Sequence, residues 1–341
     1  MSPKNLNVLS KTHKLLINKL KDKQTFKIYK KFENHLNINE NFIVAVSGGP
    51  DSLALSFLAK IYSIKHSLNV KYVIVDHKLR KNSTLEAKYV QKQLKKFSIN
   101  LKILTWKGVK PKKNIQSIAR NERYKLLVNE TKKIKIKNIL LGHHLDDLFE
   151  NFFIRILRGS GLKGLVSLDQ KTQNKNVNLI RPLLSFNKKD LIYISKYIFS
   201  SFTEDPSNKD DKYKRVKIRN FLKQLEAEGL DRKKFLLTIN NLKFADETIR
   251  FYTNRNLTDN VYFSEKKMSV ILKENFFQNS TEVIFRSFTE IIKLVGKKYY
   301  PSRGKKIDNV IKLINNKSSF KVTLGGCLIK KINATIIVSK E

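Results

Sequence analysis

The sequence predicts an α/β protein: a doubly wound, mostly parallel sheet in the first half, then a helical segment and a small α+β domain. Three observations support this. Short apolar runs alternate with helical patterns through the first half of the chain. The runs are apolar throughout, as in strands buried on both faces. A Gly-rich turn separates the first run from the first helix. The 341 residues suffice for two or three domains.

The elements of the first half can be placed individually. The predicted strands are 42–46, 71–76, 101–106, 138–141 and 178–184. Apolar residues at helical spacing predict helices over 51–64, 83–97, 115–133, 145–157 and 187–199. In parallel sheets ligands lie beyond the carboxyl ends of the strands, so the segments that follow the strands should converge on one crevice.

The second half is divided by composition. A polar stretch over 203–214, which contains Asp-Pro-Ser-Asn at 205–208, ends the first domain. A helical pattern then covers 220–257, and a helix near Ser280, a second one to Leu313 and strands at 321–324 and 335–338 follow. The predicted domains are therefore residues 1–219, with a core from about residue 38, a helical connecting segment 220–280 and a small C-terminal domain 281–341.

Charge is the strongest signal in the composition. The chain has 69 Lys and Arg against 29 Asp and Glu, a formal net charge of +40. Such an excess attracts polyanions and favours a nucleic-acid partner. Abundant Lys, Asn and Ile also indicate an AT-rich genome, which accounts for part of the charge. The single cysteine, Cys327, excludes an intramolecular disulfide and a Cys-rich zinc site. No apolar run approaches a membrane span and no signal core is present, which predicts a cytoplasmic protein without a membrane partner.

A candidate phosphate cradle directly follows the first predicted strand. Its residues are Ser47, Gly48, Gly49, Pro50, Asp51 and Ser52. Glycines let the backbone approach a ligand closely, and the free N–H groups at a helix start face an anion. The loop lacks the Lys-Ser/Thr of a Walker motif and the spaced glycines of a dinucleotide fold. An ordinary surface turn has similar composition, but the strand before the loop and the helix after it favour the cradle.

A second constellation follows the strand at 138–141. It contains His143, His144, Asp147 and Glu150, and the two acids share one helical face. Such carboxylates can hold Mg²⁺ together with nucleotide phosphates, or orient an amine. The helix dipole alone also favours acids in a first turn. A zinc site is excluded because adjacent histidines diverge and cysteine ligands are missing.

Three further segments contribute basic candidates. His77 and Arg80 follow the second strand, and Arg120 and Arg123 lie on one face of a predicted helix. The third segment, from Arg158 through Gly159, Ser160 and Gly161, contains a literal G-x-G-x-x-G. It follows a helix and not a strand, so it is not a dinucleotide fingerprint. It can contact a phosphate backbone or end the helix at Gly159.

Taken in order, these motifs resemble one family. SGGPDS, DHKLR, ARNERY, GHHLDDLFE, RGSGLKGL, RPLL and DPSN together are similar to the tRNA(Ile)-lysidine synthases, which belong to the PP-loop ATP-pyrophosphatase superfamily. The similarity runs from about residue 42 to residue 219. Residues 282–341, with Pro-Ser-Arg at 301–303, look like the first C-terminal domain of that family. One departure is Asn151, where the family usually has Thr.

The resemblance implies a Rossmann-like PP-loop fold and a ligase reaction. ATP, with Mg²⁺, would adenylate the C2 oxygen of the wobble cytidine of the isoleucine tRNA with a CAU anticodon. The ε-amine of free L-lysine would then attack C2, release AMP and form lysidine, so that the tRNA reads AUA instead of AUG. The family's habit suggests a homodimer. The alternative is another tRNA-modifying PP-loop ATP-pyrophosphatase, although thiolases of this class generally need more cysteines.

The resemblance also implies residue roles. Ser47–Ser52 of the loop, with Arg120, would contact ATP, and Asp51 and Asp147 would hold Mg²⁺. Glu150, with Asp147, would bind the lysine ammonium and help to remove its proton, while His143 and His144 would border the reacting base. The tRNA contacts would come from His77, Arg80, Arg123, Arg158, Gly159, Ser160, Gly161, Arg215, Arg219 and Arg303.

Overall fold

The chain folds into two compact units, Met1–Leu230 and Asp231–Glu341. The computed structural model describes residues 11–80, 82–111, 113–174, 176–203, 214–264, 269–297 and 302–341. The Asp-Pro-Ser-Asn motif at 205–208 and Pro301 lie outside the described residues. None of the described helices is long and apolar enough to span a bilayer.

The first unit is built on a six-stranded sheet. Its strands are β1 (Phe42–Val46), β2 (Val70–Asp76), β3 (Leu101–Thr105), β4 (Asn138–Leu141), β5 (Lys171–Asn174) and β6 (Val177–Ile180). The order across the sheet is β3-β2-β1-β4-β6-β5. All neighbouring pairs are parallel except β5 and β6, which form an antiparallel hairpin at the edge.

Helices connect these strands and precede the first of them. They are α1 (Lys11–Asn18), α2 (Lys23–Leu36), α3 (Pro50–Lys65), α4 (Ser83–Lys95), α5 (Ile115–Ile134), α6 (Leu145–Ile156), α7 (Leu162–Leu165), α8 (Lys188–Phe199) and α9 (Lys214–Ala227). In β1, Phe42 and Val44 belong to one buried cluster, whereas Ile43 belongs to the cluster on the opposite face. Both faces are therefore covered, which confirms the predicted doubly wound, mostly parallel sheet.

The core of the first unit begins earlier in the chain than predicted. Leu16 on α1 and Tyr29 and Phe32 on α2 have no exposed surface and belong to the same cluster as β1. The buried cluster therefore includes residues before position 38, and the predicted domain bounds stay a prediction. Many lysines surround these three side chains in the sequence, so the apolar stripes were not recognised there. In both helices the lysines face solvent and the apolar residues pack inward.

The second unit contains helices packed on one antiparallel sheet. Its helices are α10 (Arg232–Asn260), α11 (Thr281–Gly296) and α12 (Gly304–Asn316), with a short 3₁₀ turn at Glu274–Phe277. Its strands are β7 (Val261–Ser264), β8 (Ser269–Leu272), β9 (Ser319–Leu324), β10 (Cys327–Ile332) and β11 (Thr335–Lys340), in the order β7-β8-β11-β10-β9. This sheet confirms the small α+β fold.

The division into units differs from the predicted three segments. Helix α10 packs on α11, and β7 and β8 complete the C-terminal sheet. Nevertheless α10, β7 and β8 all lie in the segment predicted as a helical connector. Strands of four residues are too short to give a clear alternation in the sequence. The predicted boundaries at residues 219 and 280 stay predictions.

Candidate active site

The loop between β1 and α3 is organised by the side chain of Ser52. Its Oγ accepts hydrogen bonds from the backbone N–H groups of Ser47 (3.0 Å) and Gly48 (3.1 Å) and donates to the Gly49 carbonyl at 3.0 Å. The Ser47 hydroxyl also donates to it, at 3.1 Å. Gly49 caps α3 and Pro50 occupies the first turn, where its missing N–H costs nothing. Ser52 therefore fixes the loop from inside, and a ligand meets a preformed backbone.

Position 48 requires glycine for two reasons, the backbone conformation and the lack of room for a side chain. Its φ is +87°, and a Cβ there would stand 2.8 Å from Val90 Cγ2 and 3.0 Å from Thr203 Oγ1. Thr203 N–H also donates to the Gly48 carbonyl at 3.1 Å. Helix α4 and the segment after α8 thus hold the back of the loop.

The segment after β4 reaches the same loop, as predicted from the strand ends. A Cβ on Gly142 would lie 3.3 Å from the backbone nitrogen of Ser52 and 3.4 Å from the carbonyl oxygen of Asp51. Only a residue without a side chain allows this approach without a shift of the loop. The first turns of α3 and α6 therefore meet at one place, beyond the carboxyl ends of β1 and β4.

His144 lies between two carboxylates at this meeting point. Its Nε2 is 3.5 Å from Asp51 Oδ2 and 3.6 Å from Asp147 Oδ2. Its Nδ1 accepts from the Asp146 N–H at 3.2 Å, and Asp147 Oδ2 accepts from the His144 N–H at 3.0 Å. Because Nδ1 is an acceptor, Nε2 carries a proton and faces the two carboxylates.

Electrostatics shift the pKa values of His144 and Asp147 in opposite directions. Burial would lower the pKa of His144, but Asp51 and Asp147 outweigh burial and raise it. Burial would raise the pKa of Asp147, but His144, His143 and the hydrogen bond from the His144 N–H outweigh it, so that pKa is lowered. Asp147 is therefore ionised at neutral pH and available to a cation.

His143 is a neutral, buried imidazole beside a group of arginines. Burial lowers its pKa to about 4; Asp147 opposes this shift, while Arg181, Arg120 and Arg215 add to it. Its Nδ1 is buried without a hydrogen-bond partner. At neutral pH this histidine can form hydrogen bonds with a ligand but is a poor source of protons.

Arg181 belongs to the surroundings of His143, although it was not among the residues predicted for the site. It is buried, and its Nη1 donates to the Asp169 carbonyl at 2.7 Å and to Thr172 Oγ1 at 3.0 Å. The Nε atom is buried without a partner. The only signal for it in the sequence was its place in the RPLL motif, which lies within the strand predicted over 178–184.

Arg120 is exposed on α5, where its Nη2 donates to the Tyr124 hydroxyl at 3.3 Å. Its guanidinium also lies over the ring of Tyr124, with 5.3 Å from Cζ to the ring centroid. Because it lowers the pKa of His143, Arg120 belongs to the electrostatic surroundings of the site. Its predicted contact with ATP stays a prediction.

Glu150 is already paired. Its carboxylate, 2 % exposed, receives Arg219 Nε at 2.5 Å and Arg219 Nη2 at 3.5 Å. Burial raises the pKa of Glu150, and the ion pair offsets this only in part. The pair joins α6 to α9. Its two members were predicted to bind lysine and tRNA, respectively, and each of those roles requires the pair to open.

The carboxylates satisfy the chemical requirements of Mg²⁺. Asp51 Oδ1 is buried without a hydrogen-bond partner, and Asp147 is ionised close by. Within the described ranges, no group of three or more His, Cys, Asp or Glu is arranged for a metal held by protein ligands alone. Mg²⁺ is commonly bound by one or two carboxylates together with substrate phosphates and water, so these residues fit it.

The segment after β2 is held in place by the side chain of Asp76. This buried carboxylate accepts from the Lys78 N–H (3.0 Å), Ser83 Oγ (2.7 Å) and Thr84 Oγ1 (2.6 Å). Within the segment, Arg80 pairs with Glu86 at 2.8 Å.

His77 is half-buried, and its Nε2 is 3.4 Å from Nε of the exposed Arg123. Burial and Arg123 lower the pKa of His77 to about 4. His77, Arg80 and Arg123 are thus surface groups at the same sheet edge, and their tRNA contacts stay predictions.

The glycine-rich segment after α6 ends that helix. Gly159, at φ +64°, donates to the Ile156 carbonyl at 2.9 Å, and Ser160 N–H donates to the Arg155 carbonyl at 3.0 Å. This is a Schellman motif with glycine in the left-handed position. The interpretation that Gly159 ends the helix is confirmed.

The remaining tRNA candidates stay predictions. Arg158 and Gly161 are exposed beside the end of α6, and Arg215 is exposed at the start of α9. Arg303 lies in the second unit, where it caps α12 and is exposed.

Comparison with known proteins agrees with this geometry. The PP-loop domain family matches residues 20–226, which defines the class of the first unit. A tRNA(Ile)-lysidine synthase from Wolbachia pipientis wMel is 32% identical over 317 residues, covering 91% of this chain and 74% of the relative. One from Orientia tsutsugamushi is 34% identical over 317 residues, covering 89% and 70%. The chain belongs to the tRNA(Ile)-lysidine synthase family, whose members are enzymes of the PP-loop ATP-pyrophosphatase class.

A solved structure supports the fold independently. The U34-tRNA thiolase NcsA from Methanococcus maripaludis, described with its [4Fe-4S] cluster, superposes with a TM-score of 0.56 at 18% identity. The match covers 69% of this chain and 80% of the thiolase. At this identity the similarity concerns the fold alone.

Proposed function

We propose that this protein is a ligase that converts the wobble cytidine of the CAU-anticodon isoleucine tRNA into lysidine. The observation that carries the proposal is the meeting of the Ser47–Ser52 loop with His143–Glu150 beyond β1 and β4, in a chain of this family. The net charge of +40 for the whole chain suits a tRNA substrate. With no described helix able to span a membrane, a cytoplasmic location is part of the proposal.

The first half-reaction is activation of the base. The C2 oxygen of the cytidine attacks the α-phosphorus of ATP, and pyrophosphate leaves. The preformed loop supports this step, because Ser52 holds the backbone in place and no rearrangement is needed as charge develops. Asp51 and Asp147 would hold Mg²⁺, which neutralises phosphate charge when bound.

The second half-reaction forms the carbon–nitrogen bond. The ε-amine of free L-lysine attacks C2, and AMP leaves with the former C2 oxygen. The lysine must lose a proton, and Glu150 is the candidate acceptor, since burial raises the pKa of its carboxyl group. Arg219 must leave Glu150 before an ammonium can take its place.

The neighbouring side chains suit a polar base. His143 is neutral with a buried Nδ1 that lacks a partner, and Arg181 has an unpartnered Nε. Both groups are held in place and can form hydrogen bonds with a nucleotide. We assign them to orienting the substrate, and Arg120 and Arg215 to attracting its phosphates.

The main alternative is another tRNA-modifying PP-loop enzyme, such as a thiolase. The sequence offers one cysteine, Cys327, which is buried in the core of the second unit and donates to the Ile292 carbonyl at 3.3 Å. A buried thiol of this kind cannot serve sulfur transfer at the PP-loop. The lysine reaction is therefore preferred.

A lysine-incorporation assay tests the proposal directly. The protein, ATP, Mg²⁺ and radiolabelled lysine are mixed with transcripts of the CAU isoleucine tRNA or the elongator methionine tRNA. We expect label in the isoleucine transcript alone. Cleavage of ATP to AMP and pyrophosphate that depends on tRNA, without incorporation of lysine, would retain the PP-loop class but refute lysine as the nucleophile.

A homodimer is the final part of the proposal. Leu237, Phe244 and Phe251 are exposed on α10 at intervals of seven residues, so they form one apolar stripe. Such a stripe suits pairing with a second copy of the same helix. Sedimentation equilibrium should give a mass near twice 39.8 kDa. Phe244→Lys should reduce that mass to one chain, whereas a monomeric wild-type protein would refute the dimer.

A further inference from the structure

Tyr124 lies on α5, one helical turn after Arg120, and connects the core of the first unit to the candidate site. Its side chain is half-buried and packs against the buried cluster that contains Leu127 and Leu141. Its hydroxyl group accepts a hydrogen bond from Arg120. The ring is therefore supported by the core, while the hydroxyl group contacts a charged group at the edge of the site.

Tyr124 holds Arg120 in two ways. The Nη2 atom of Arg120 donates to the Tyr124 hydroxyl at 3.3 Å, and its Cζ atom lies 5.3 Å from the centroid of the Tyr124 ring. A guanidinium group above an aromatic ring is attracted by the negative face of that ring. Arg120 is exposed and forms no ion pair with a carboxylate of the described residues. The tyrosine therefore restricts a side chain that would otherwise be free to turn into solvent.

Arg181 approaches the same hydroxyl group from a different element. It directly follows β6, which pairs with β4, and so lies beside the segment that contains His143. Burial lowers the pKa of Arg181, whereas Tyr124, within hydrogen-bonding reach of its guanidinium, opposes this shift. Arg181 is only 4% exposed and cannot move away. The Tyr124 hydroxyl therefore lies between a fixed guanidinium and an exposed one.

The two arginines repel each other unless an anion joins them. After burial, Arg120 is one of the charges that lower the pKa of Arg181, because like charges disfavour each other. Without Tyr124, the exposed Arg120 would reduce this repulsion by moving into water. A phosphate group is the anion that suits such a pair, since guanidinium groups bind phosphate oxygens with a matching geometry. A packing role alone would explain the ring of Tyr124 but not a hydroxyl group between two cations.

We propose that Tyr124 is a positioning residue, which keeps the guanidinium of Arg120 next to that of Arg181 so that both positive charges act on one phosphate group of a bound nucleotide. That this phosphate belongs to ATP or to a tRNA rests on the proposed function. Tyr124 touches no reacting atom in this assignment, and its effect on the ligand is exerted through Arg120.

Removal of the hydroxyl group from the full chain tests the proposal. Two affinities are measured by fluorescence anisotropy, one for a fluorescent non-hydrolysable ATP analogue without tRNA, the other for a labelled transcript of the CAU isoleucine tRNA without ATP. Tyr124→Phe keeps the ring and should weaken one affinity about tenfold, as for lost hydrogen bonds to charged groups, and leave the other within about twofold. The affinity that falls identifies the source of the phosphate. Two unchanged affinities, or two equal losses, would overturn the proposal.

Tyr193→Phe is the matched control. Tyr193 is a half-buried tyrosine of α8, and its hydroxyl donates to Asp22 at 2.9 Å, outside the candidate site. Each variant loses one tyrosine hydroxyl group, so urea titrations should show similar small losses of stability. Only Tyr124→Phe should lose affinity. Equal losses of affinity in the two variants would mean that the hydroxyl group acts through stability alone, and the proposal would be wrong.

A double-mutant cycle tests whether Tyr124 acts through Arg120. Arg120→Met should weaken the same affinity by about tenfold or more, because it removes the positioned charge. In that background Tyr124→Phe should weaken the affinity by less than about threefold, since effects of residues that act together are not additive. A second tenfold loss would show that the two residues act independently and would contradict the proposal.

The lysine assay separates this proposal from the proposed function. A wild-type chain that incorporates no lysine, but whose Tyr124→Phe variant loses affinity for one of the two ligands, would refute the function and keep the positioning role. Conversely, an active wild-type chain whose Tyr124→Phe variant binds both ligands normally would refute the positioning role and keep the function.

Discussion

The two sheets of this protein offer contrasting places for function. In the first unit the strands are mostly parallel, and residues such as Phe42 and Ile43 are buried on opposite faces. In the second unit the strands are antiparallel, and Val270 is buried while its neighbour Ile271 is exposed. A sheet covered on both faces can present side chains to a ligand only at the strand ends. A sheet covered on one face can present a whole surface.

This difference suggests a division of labour. The strand ends of the first sheet bring together a few fixed groups, His144 and its two carboxylates, which suits chemistry on one atom. In the second sheet the outward side chains, such as Tyr262 and Ile271, are spread over a surface instead of being gathered at one point. Variants of the carboxylates at the strand ends of the first sheet should therefore change turnover, whereas variants elsewhere should change stability or affinity.

The largest effect is expected for Asp147→Asn. Loss of the charge should reduce tRNA-dependent pyrophosphate release by about 10²–10³-fold, because a fixed group near the reacting phosphates is removed. Binding of tRNA should stay within twofold of wild type. Asp190→Asn is the control, because Asp190 is also an acid in a first turn, that of α8, and its charge interacts with the helix dipole and with Lys31. Normal turnover with lost tRNA affinity would contradict the assignment.

Arg286→Met should have the second largest effect, which is a loss of stability. Arg286 is buried and its Nη1 lies 2.6 Å from Asp246 Oδ1, so the variant removes the buried partner of this carboxylate and leaves it paired with the half-exposed Arg250 at 3.3 Å. We expect the free energy of unfolding of the second unit to fall by about 3 kcal/mol in urea titrations. Arg255→Met, which removes an exposed pair with Asp259, should cost less than about 0.5 kcal/mol. Comparable losses would mean that burial of the pair is unimportant.

The loop glycines provide a matched comparison within the first unit. Gly48→Ala introduces a Cβ at φ +87° and 2.8 Å from Val90 Cγ2. The left-handed conformation alone costs roughly 1–2 kcal/mol, so the free energy of unfolding should fall by at least that amount. Gly49, at φ −75°, has Ser47 Oγ as its nearest neighbour at 3.9 Å, and Gly49→Ala should be nearly neutral for stability. Chemical denaturation of both variants checks the difference.

The smallest effect is expected for Asp76→Asn, and it should depend on pH. Burial opposes ionisation of Asp76, but the bonds from Thr84, Lys78 and Ser83 outweigh it and lower its pKa. The ionised form therefore stabilises the fold above the unfolded pKa of about 3.9, and this contribution is lost as pH falls through the folded pKa. The variant should lose about 1 kcal/mol at pH 7 and less at pH 3. A loss independent of pH would exclude the charge as its cause.

The sequence predicted the first sheet better than the second because burial on both faces leaves an unbroken apolar run. The ranges 42–46 and 138–141 agree with β1 and β4 residue for residue. Strand β5 has the sequence KTQN and lies at the sheet edge, so no apolar pattern marked it. Strands β7 and β8 are four residues each; β8 pairs with β11, which is distant in the sequence, and β7 pairs with β8.

The approach of the two segments at the candidate site was predicted from the sequence, but several of their side-chain connections were not. The convergence of the loop with Gly142–His144 followed from the rule for strand ends. The pairing of Glu150 with Arg219 joins residues 69 positions apart, and the contact of Thr203 with Gly48 joins two segments that the sequence does not relate. Such pairings depend on how helices pack, which local patterns do not encode.

The hydrogen bond from Thr203 to the Gly48 carbonyl also fixes the orientation of one peptide plane. In a trans peptide the carbonyl oxygen and the following N–H point in opposite directions. With its oxygen held by Thr203, the peptide between Gly48 and Gly49 cannot flip. The Gly49 N–H is thereby kept on the far side from Thr203, and the loop cannot turn a carbonyl dipole towards an incoming phosphate.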